Sequence, residues 1–303
     1  MKTWVVVLLV LVVLVVAAVG TGAWLFFKRP LTVFAWQTRL ALRGAGLTRT
    51  TVDSPAGPQV VFAGGTGPAI VLLHGAGDQA GTWFKVAPDL VKKHRLIVPD
   101  LAGHASSAPP AGPIDTGAVY AGVEAVIETL SRGEKVTIVG NSLGAWMALL
   151  VAHRHPDWVT RVVAVDGGAT TGENVQARVL PRTREEARES VKQTRDPGSV
   201  AIPDFVLDDI VRQAAVGPLA RFAATAATMS QWTLDGHLSE VKVPVDLVWG
   251  ESDHLMPLDY ARRMLTELPH ARLVAIPRCG HVPQVECPSA FLAALRQVLE
   301  EEK

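Results

Sequence analysis

The sequence predicts an α/β architecture: a mostly parallel eight-stranded sheet with helices on both faces, a helical insertion, and one transmembrane helix ahead of it. Three observations lead there. From about Leu47 onward, short apolar runs alternate with helix-length segments, the pattern of a parallel sheet covered on both sides. The stretch Gly167 to Glu240 breaks that alternation and holds no convincing buried strand. In front of both stands an uncharged apolar run from Trp4 to Phe27.

That first run is long enough to cross a bilayer, which takes about 20 helical residues. Lys2 precedes it, Lys28 and Arg29 end it, and Trp4 and Trp24 suit interfacial positions. The alternative is a secretory signal cleaved after Thr21-Gly22-Ala23. However, the apolar run continues through Trp24-Leu25-Phe26-Phe27, past the usual length of such a signal. The reading adopted is a single-pass anchor over 1–29, contacting the membrane through 4–27. The positives Lys28, Arg29, Arg39 and Arg43 favour a cytoplasmic catalytic domain, whereas the short tail before the span favours the opposite side. On balance the sequence leans to the cytoplasm. The run also explains the mean hydropathy of +0.24. Without it the remainder averages roughly +0.03, an ordinary value for a soluble domain.

The following segment, 30–47, contains Leu31 to Arg43, which suits a short amphipathic helix lying at the membrane or packed on the domain. Strands are expected at Thr48–Asp53, Gln59–Ala63, Ala69–Leu73, Arg95–Pro99, Lys135–Val139, Arg161–Val165, Val245–Trp249 and Arg272–Ile276. The later ones are near-continuous apolar runs, as strands buried on both faces should be. Helices are expected at Thr82–Lys92, Thr116–Ser131, Leu143–His155, Leu258–Leu268 and Ser289–Glu301. This divides the chain into a core (48–166 and 241–303) and a helical cap (167–240). The cap holds the Arg/Glu-rich Arg182–Lys192 and the Ala/Thr-rich Arg221–Met229, and carries few fixed charges after about Ile202.

Composition narrows the function. With 29 Lys+Arg against 29 Asp+Glu the formal charge is zero, so a nucleic-acid partner bound through bulk charge is excluded. At 49% hydrophobic residues the chain can bury a sizeable core, and disorder is excluded too. Two cysteines exclude a disulfide framework and multi-cysteine zinc patterns. Cys279 and Cys287 are read as two small buried or half-buried thiols; whether they pair depends on geometry that sequence does not give.

The chemistry-bearing motif is Gly140-Asn141-Ser142-Leu143-Gly144, between an apolar strand and a helix. A Ser on such a turn is pushed out of the sheet, and the small residues two positions either side let strand and helix approach. A hydroxyl needs a base to act as a nucleophile at neutral pH. His281, in Cys279-Gly280-His281-Val282-Pro283, follows the last strand at the same sheet edge. Asp253, in Gly250-Glu251-Ser252-Asp253-His254, follows the preceding strand and can orient that base. Glu251 and Asp166 are the alternative acids. The oxyanion donors expected are the N–H groups of Leu143 and Ala76, with Gly77 as fallback to Ala76. They come from the elbow and from the loop His74-Gly75-Ala76-Gly77. No Lys-Ser/Thr pair follows those glycines, so a phosphate-binding P-loop is excluded. His74 is read as a hydrogen-bonding residue beneath the site.

From about Val60 to the end, these residues resemble the α/β-hydrolase fold family. The matches are His74-Gly75 with Trp83 downstream, Pro99-Asp100-Leu101-Ala102-Gly103-His104, the Ser142 elbow, Gly250-Glu251-Ser252-Asp253 and Gly280-His281. One departure is Ala105, where the family often has Gly. The resemblance implies a serine triad of Ser142, Asp253 and His281, a cap over the site, and pocket-shaping roles for Trp83 and Asp100. Related dehalogenases and epoxide hydrolases place Asp at the elbow, which Ser142 excludes here. The expected activity is hydrolysis of a carboxylic ester, apolar or lipid-like, through an acyl-enzyme, without metal or organic cofactor. One alternative is a carbon–carbon hydrolase of a diketone-type ring-cleavage product, which Arg278-Cys279-Gly280-His281 with Gln284 and Glu286 resembles. The other is a hydrolase-fold binding protein without activity. The sequence sets no oligomeric state.

Overall fold

In the computed structural model, the chain is described over residues 3–171 and 179–300. Eight strands form one sheet: β1 (Thr48–Val52), β2 (Gln59–Gly64), β3 (Ala69–Leu73), β4 (Arg95–Pro99), β5 (Val136–Asn141), β6 (Val159–Val165), β7 (Val245–Gly250) and β8 (Ala271–Ile276). Their order is β1-β2-β4-β3-β5-β6-β7-β8. The first two pairings are antiparallel and all later ones are parallel. The expected strands and their ends are met within one or two residues.

The period of two along each strand separates two cores. In β3, Val71 and Leu73 face a cluster with Met147, Leu150, Trp249 and Met264. Ile70 and Leu72 face the other side, with Trp83, Phe291 and Leu295. The first cluster is covered by α4 (Thr116–Leu130), α5 (Leu143–Arg154) and α9 (Leu258–Glu267); the second receives α11 (Pro288–Glu300). Truncating a fully buried leucine such as Leu73 to alanine would cost about 2–5 kcal/mol.

One expected helix changes character. Instead of one helix over Thr82–Lys92, a 3-10 turn runs over Ala80–Lys85 and a single α turn, α3, over Ala87–Leu90. The Gln79 side chain accepts from the Gly81 N–H and starts the turn early. Pro88 lacks the N–H that would continue the ladder into the next turn.

The apolar N-terminal run is one helix, α1 (Thr3–Lys28), with no buried residue in its span. It is long and apolar enough to cross a membrane. Pro30, at the first position of α2 (Pro30–Gly44), begins a new helix. Of the two sequence readings for this segment, the structure shows a helix packed on the body. Thr38 and Leu42 are buried, and the Leu31 N–H donates to Asp209. On its other face Trp36 and Leu40 stay exposed.

Between β6 and β7 the described part of the insertion is helical: α6 (Arg184–Thr194), α7 (Asp204–Val216), α8 (Pro218–Ala223) and two 3-10 turns. Residues 172–178 of the expected cap lie outside the described residues, as does Glu301 of the last expected helix. The expectation of few fixed charges after Ile202 is wrong. Asp204 and Asp208 pair with Arg184, and Asp209 pairs with Arg212. The Arg184 pairs bind α6 to α7, while the Asp209–Arg212 pair lies within α7. The aromatic end of α1 meets α7 as well, with the Phe26 and Phe27 rings 5.6 and 5.4 Å from Phe205.

The reading of Cys279 and Cys287 as free thiols is also overturned. They form a disulfide. The one-turn helix α10 (Pro283–Glu286) folds the chain back, bringing the two Cα atoms to 5.9 Å, within bridging range.

Candidate active site

Ser142 stands between the end of β5 and the start of α5 with φ 54° and ψ −114°. A β-carbon is strained in that region, at a cost of about 1–3 kcal/mol. The neighbours make the conformation possible. A β-carbon on Gly140 would come 2.2 Å from the Gly144 carbonyl carbon, and one on Gly144 would come 2.3 Å from the Leu73 oxygen. Only glycine at both positions lets α5 leave the sheet this steeply. The hydroxyl-bearing residue is thereby left half-buried at the carboxyl edge of the parallel strands.

At the same edge, His281 Nδ1 lies 2.7 Å from Asp253 Oδ2. Facing a carboxylate, Nδ1 is the donor, which leaves Nε2 as the acceptor nitrogen of a neutral imidazole. The second oxygen, Asp253 Oδ1, accepts from the Leu255 and Met256 N–H groups, each at 2.9 Å. Both oxygens are thus aimed by the loop after β7. Among the described residues, the Ser142 hydroxyl makes no hydrogen bond to His281. The link between the two is one residue removed. Asn141 Nδ2 donates to the His281 carbonyl at 2.8 Å, and Gln284 Nε2 donates to Asn141 Oδ1 at 3.1 Å.

The alternative acids sit elsewhere. Glu251 is exposed. Asp166 is fully buried, and its Oδ1 accepts from the Gly250 N–H at 2.8 Å. Burial first, and then the negative charge of Asp253, push its carboxyl well above the usual range. Asp166 Oδ2 has no hydrogen-bond partner among the described groups.

The remaining expected residues support the loops. His74 is buried: its Nε2 accepts from the Leu101 N–H at 2.9 Å and its Nδ1 donates to the Gly75 carbonyl at 2.8 Å. Burial lowers its pKa to about 4, so it stays neutral. Asp100 accepts from the Ala80 N–H and from Arg39, each at 2.8 Å. Trp83 is buried against Phe291. Asp100 and Trp83 therefore fix the loop after β3 from within the core. Neither the Ala76 nor the Leu143 N–H is engaged by another backbone group among the described residues. Gly77, with φ 81°, turns that loop toward the insertion. A β-carbon there would lie 3.2 Å from the Leu219 β-carbon.

Sequence reasoning missed Arg39 as a partner of Asp100, counting it only as a positive flank of the span. It also missed Arg221, which donates to the Gly103, Pro109 and Gly112 carbonyls and ties the insertion to the loop after β4. Such partners stand 61 to 118 residues apart, so no local pattern announces them.

A strained serine at a strand-to-helix elbow, beside a histidine–carboxylate pair on one edge of this sheet, defines an α/β-fold hydrolase. The chain belongs to the alpha/beta hydrolase family, which its residues 70–295 match. It is 28% identical over 264 residues to an uncharacterised protein of Mycobacterium tuberculosis, covering 78% of this chain and 76% of that one. It is 26% identical over 248 residues to the 2-hydroxy-6-oxo-6-phenylhexa-2,4-dienoate hydrolase of Burkholderia cepacia, covering 75% and 86%. Among solved structures, a bacterial membrane phospholipase A superposes with a TM-score of 0.76 at 23% identity over 100% of both chains. At that identity the likeness concerns the fold.

Proposed function

We propose that the chain is a membrane-anchored serine hydrolase cleaving carboxylic esters of apolar, lipid-like molecules. The observation that carries this is the Ser142 backbone, held at φ 54° and ψ −114° between β5 and α5, a strained turn of the kind that presents a nucleophile. Ser142 Oγ attacks the ester carbonyl while His281 Nε2 takes its proton. Asp253 holds the ring and stabilises the imidazolium. The free N–H groups of Ala76 and Leu143 receive the tetrahedral oxyanion. His281 then returns the proton to the leaving alcohol. Water, activated by the same nitrogen, releases the acid and restores Ser142.

The lipid-like preference rests on α1. Its Phe26 and Phe27 rings contact Phe205, a contact between the insertion and the end of the apolar helix that supports this reading. The disulfide supports a catalytic domain outside the cytoplasm, opposite to the charge count around the span, because structural disulfides persist in oxidising compartments.

A second reading, hydrolysis of a carbon–carbon bond in a ring-cleavage product, is favoured by the Burkholderia relative. One experiment separates the two. Full-length protein in detergent is assayed on acyl esters of increasing chain length and on a 2-hydroxy-6-oxo-dienoate, with Ser142→Ala in parallel. Ester turnover that is lost in the variant supports the proposal. Turnover of the dienoate alone supports the second reading. Ester turnover retained by Ser142→Ala refutes the assignment of the nucleophile.

A further inference from the structure

Glu286 belongs to a motif the catalytic steps leave unused, yet its carboxylate is nearly buried, with 8% of the side chain exposed. Its two oxygens face two parts of the molecule. Oε2 accepts from the Gly280 N–H at 2.7 Å, next to His281. Oε1 accepts from the Asp196 N–H at 2.9 Å and from the Ser199 hydroxyl, and the Arg195 guanidinium lies 3.8 Å away. Asp196, Ser199 and Arg195 belong to the segment that follows α6 in the insertion.

That segment touches the catalytic loops at more points. The Thr194 carbonyl accepts from the His281 N–H at 2.9 Å. The Gln193 carbonyl accepts from the His254 and Leu255 N–H groups at 2.9 and 3.0 Å, immediately after Asp253. Asp196 Oδ2 accepts from the Ser252 hydroxyl at 2.6 Å, immediately before it. A β-carbon on Gly280 would meet the Thr194 oxygen at 2.4 Å, so the fit leaves no slack. The Cys279–Cys287 disulfide closes the loop that carries both His281 and Glu286.

We propose that residues 193–199 are a strap joining the insertion to the acid and base loops, and that Glu286 is its positioning residue. Through Gly280, Glu286 fixes the loop that carries His281 at the sheet edge it shares with Ser142. A charged acceptor suits this task. A carboxylate offers lone pairs on both oxygens, so it can hold the loop and the strap at once, and each bond is charge-assisted. An amide offers one acceptor oxygen and must turn its NH2 toward a donor on the other side.

This rests on the serine-hydrolase reading above, and the test separates the two. Full-length wild type, Glu286→Gln, Ser199→Ala and Ser142→Ala are compared in detergent by ester hydrolysis and by the rate and final stoichiometry of labelling with a fluorophosphonate. The expected result for Glu286→Gln is labelling to full stoichiometry at a rate lowered about tenfold or more, with kcat falling in step and KM within about twofold. Ser199→Ala, which removes one bond on the strap side alone, should slow labelling by about threefold. Wild-type labelling rates in both variants overturn the proposal. So does a reduced stoichiometry at an unchanged rate, which marks a purely structural residue. Should Glu286→Gln fail to fold, Ser199→Ala decides alone. Labelling or turnover in Ser142→Ala refutes the underlying reading instead.

Discussion

Replacing Asp166 by Asn tests which carboxylate serves His281 and what the other one costs. Asp166 is isosteric with Asn, and the Asn oxygen can still accept from the Gly250 N–H. The Asn NH2 takes the place of the unpartnered Oδ2 near the Asp253 charge. Because burial and Asp253 raise the folded pKa, the folded chain holds this proton more tightly than the unfolded chain. Stability from this group is therefore fully present below the unfolded value, near 4, and is lost as pH rises toward the folded value. The slope is about 1.4 kcal/mol per pH unit across that window. Asn has no proton to lose, so the stability of Asp166→Asn relative to wild type should rise by that slope from about pH 4 upward. Urea unfolding at four pH values between 4.5 and 7.5 measures the difference. Activity supplies the second arm: Asp166→Asn should keep kcat within about threefold, whereas Asp253→Asn, which loses the imidazole tautomer, should drop it by about 10⁴. The reasoning is refuted if the stability difference does not change with pH, or if Asp166→Asn loses as much activity as Asp253→Asn.

Two further outcomes are expected. His74 and His104 are buried side by side, and burial lowers their pKa values to about 4 and about 3. Folding expels a proton from each below pH 6.5, so that stability falls with acid by up to about 1.4 kcal/mol per pH unit per histidine. In His104→Asn, which can still donate to the Ala102 carbonyl, the acid loss measured by urea unfolding between pH 6.5 and 4.5 should be shallower than in wild type. Gly140→Ala places a β-carbon 2.2 Å from the Gly144 backbone, and should cost about 3 kcal/mol or prevent folding, as read by thermal unfolding.

What the sequence made legible follows from what is local. Strand and helix periods depend on neighbouring residues, so β3 and β4 were readable to the residue. The elbow was readable because a Ser between two glycines two positions away has one physical rationale at a strand-to-helix turn. Helix α7 was harder, since its carboxylates make ion pairs with α6 that no local period encodes. The helix expected over Thr82–Lys92 failed for a similar reason. Its start is set by Gln79, whose amide also donates to Thr38, 41 residues upstream on α2. The disulfide depended on the short turn of α10, which sets the approach of the two backbones and leaves little trace in composition.

For the proposed membrane anchor, the side on which the body lies is where local and non-local evidence part. The positives after the span place the body in the cytoplasm when counted as free charges. One of them does not behave as a free charge: Arg39 is paired with Asp100 and also donates to Gln79 and Ser106. A positive flank counts toward orientation as it acts during insertion, before these contacts exist, so the pairing alone does not reverse the argument. The disulfide adds an independent constraint, because it must form and persist where the domain folds. Closing a loop with a sequence separation of 8 is worth about 2.5 kcal/mol in the chain-entropy account. Cys279→Ala should therefore lower stability by about 2 kcal/mol, and thiol-reactive labelling without reductant should find neither cysteine in the wild type. A carboxyl-terminal alkaline phosphatase fusion, active only outside the cytoplasm, should be active, and a fluorescent-protein fusion that matures only in the cytoplasm should stay dark. The reverse pattern, with both thiols labelled, would return the domain to the cytoplasm and leave the bridge without a stabilising role in the cell.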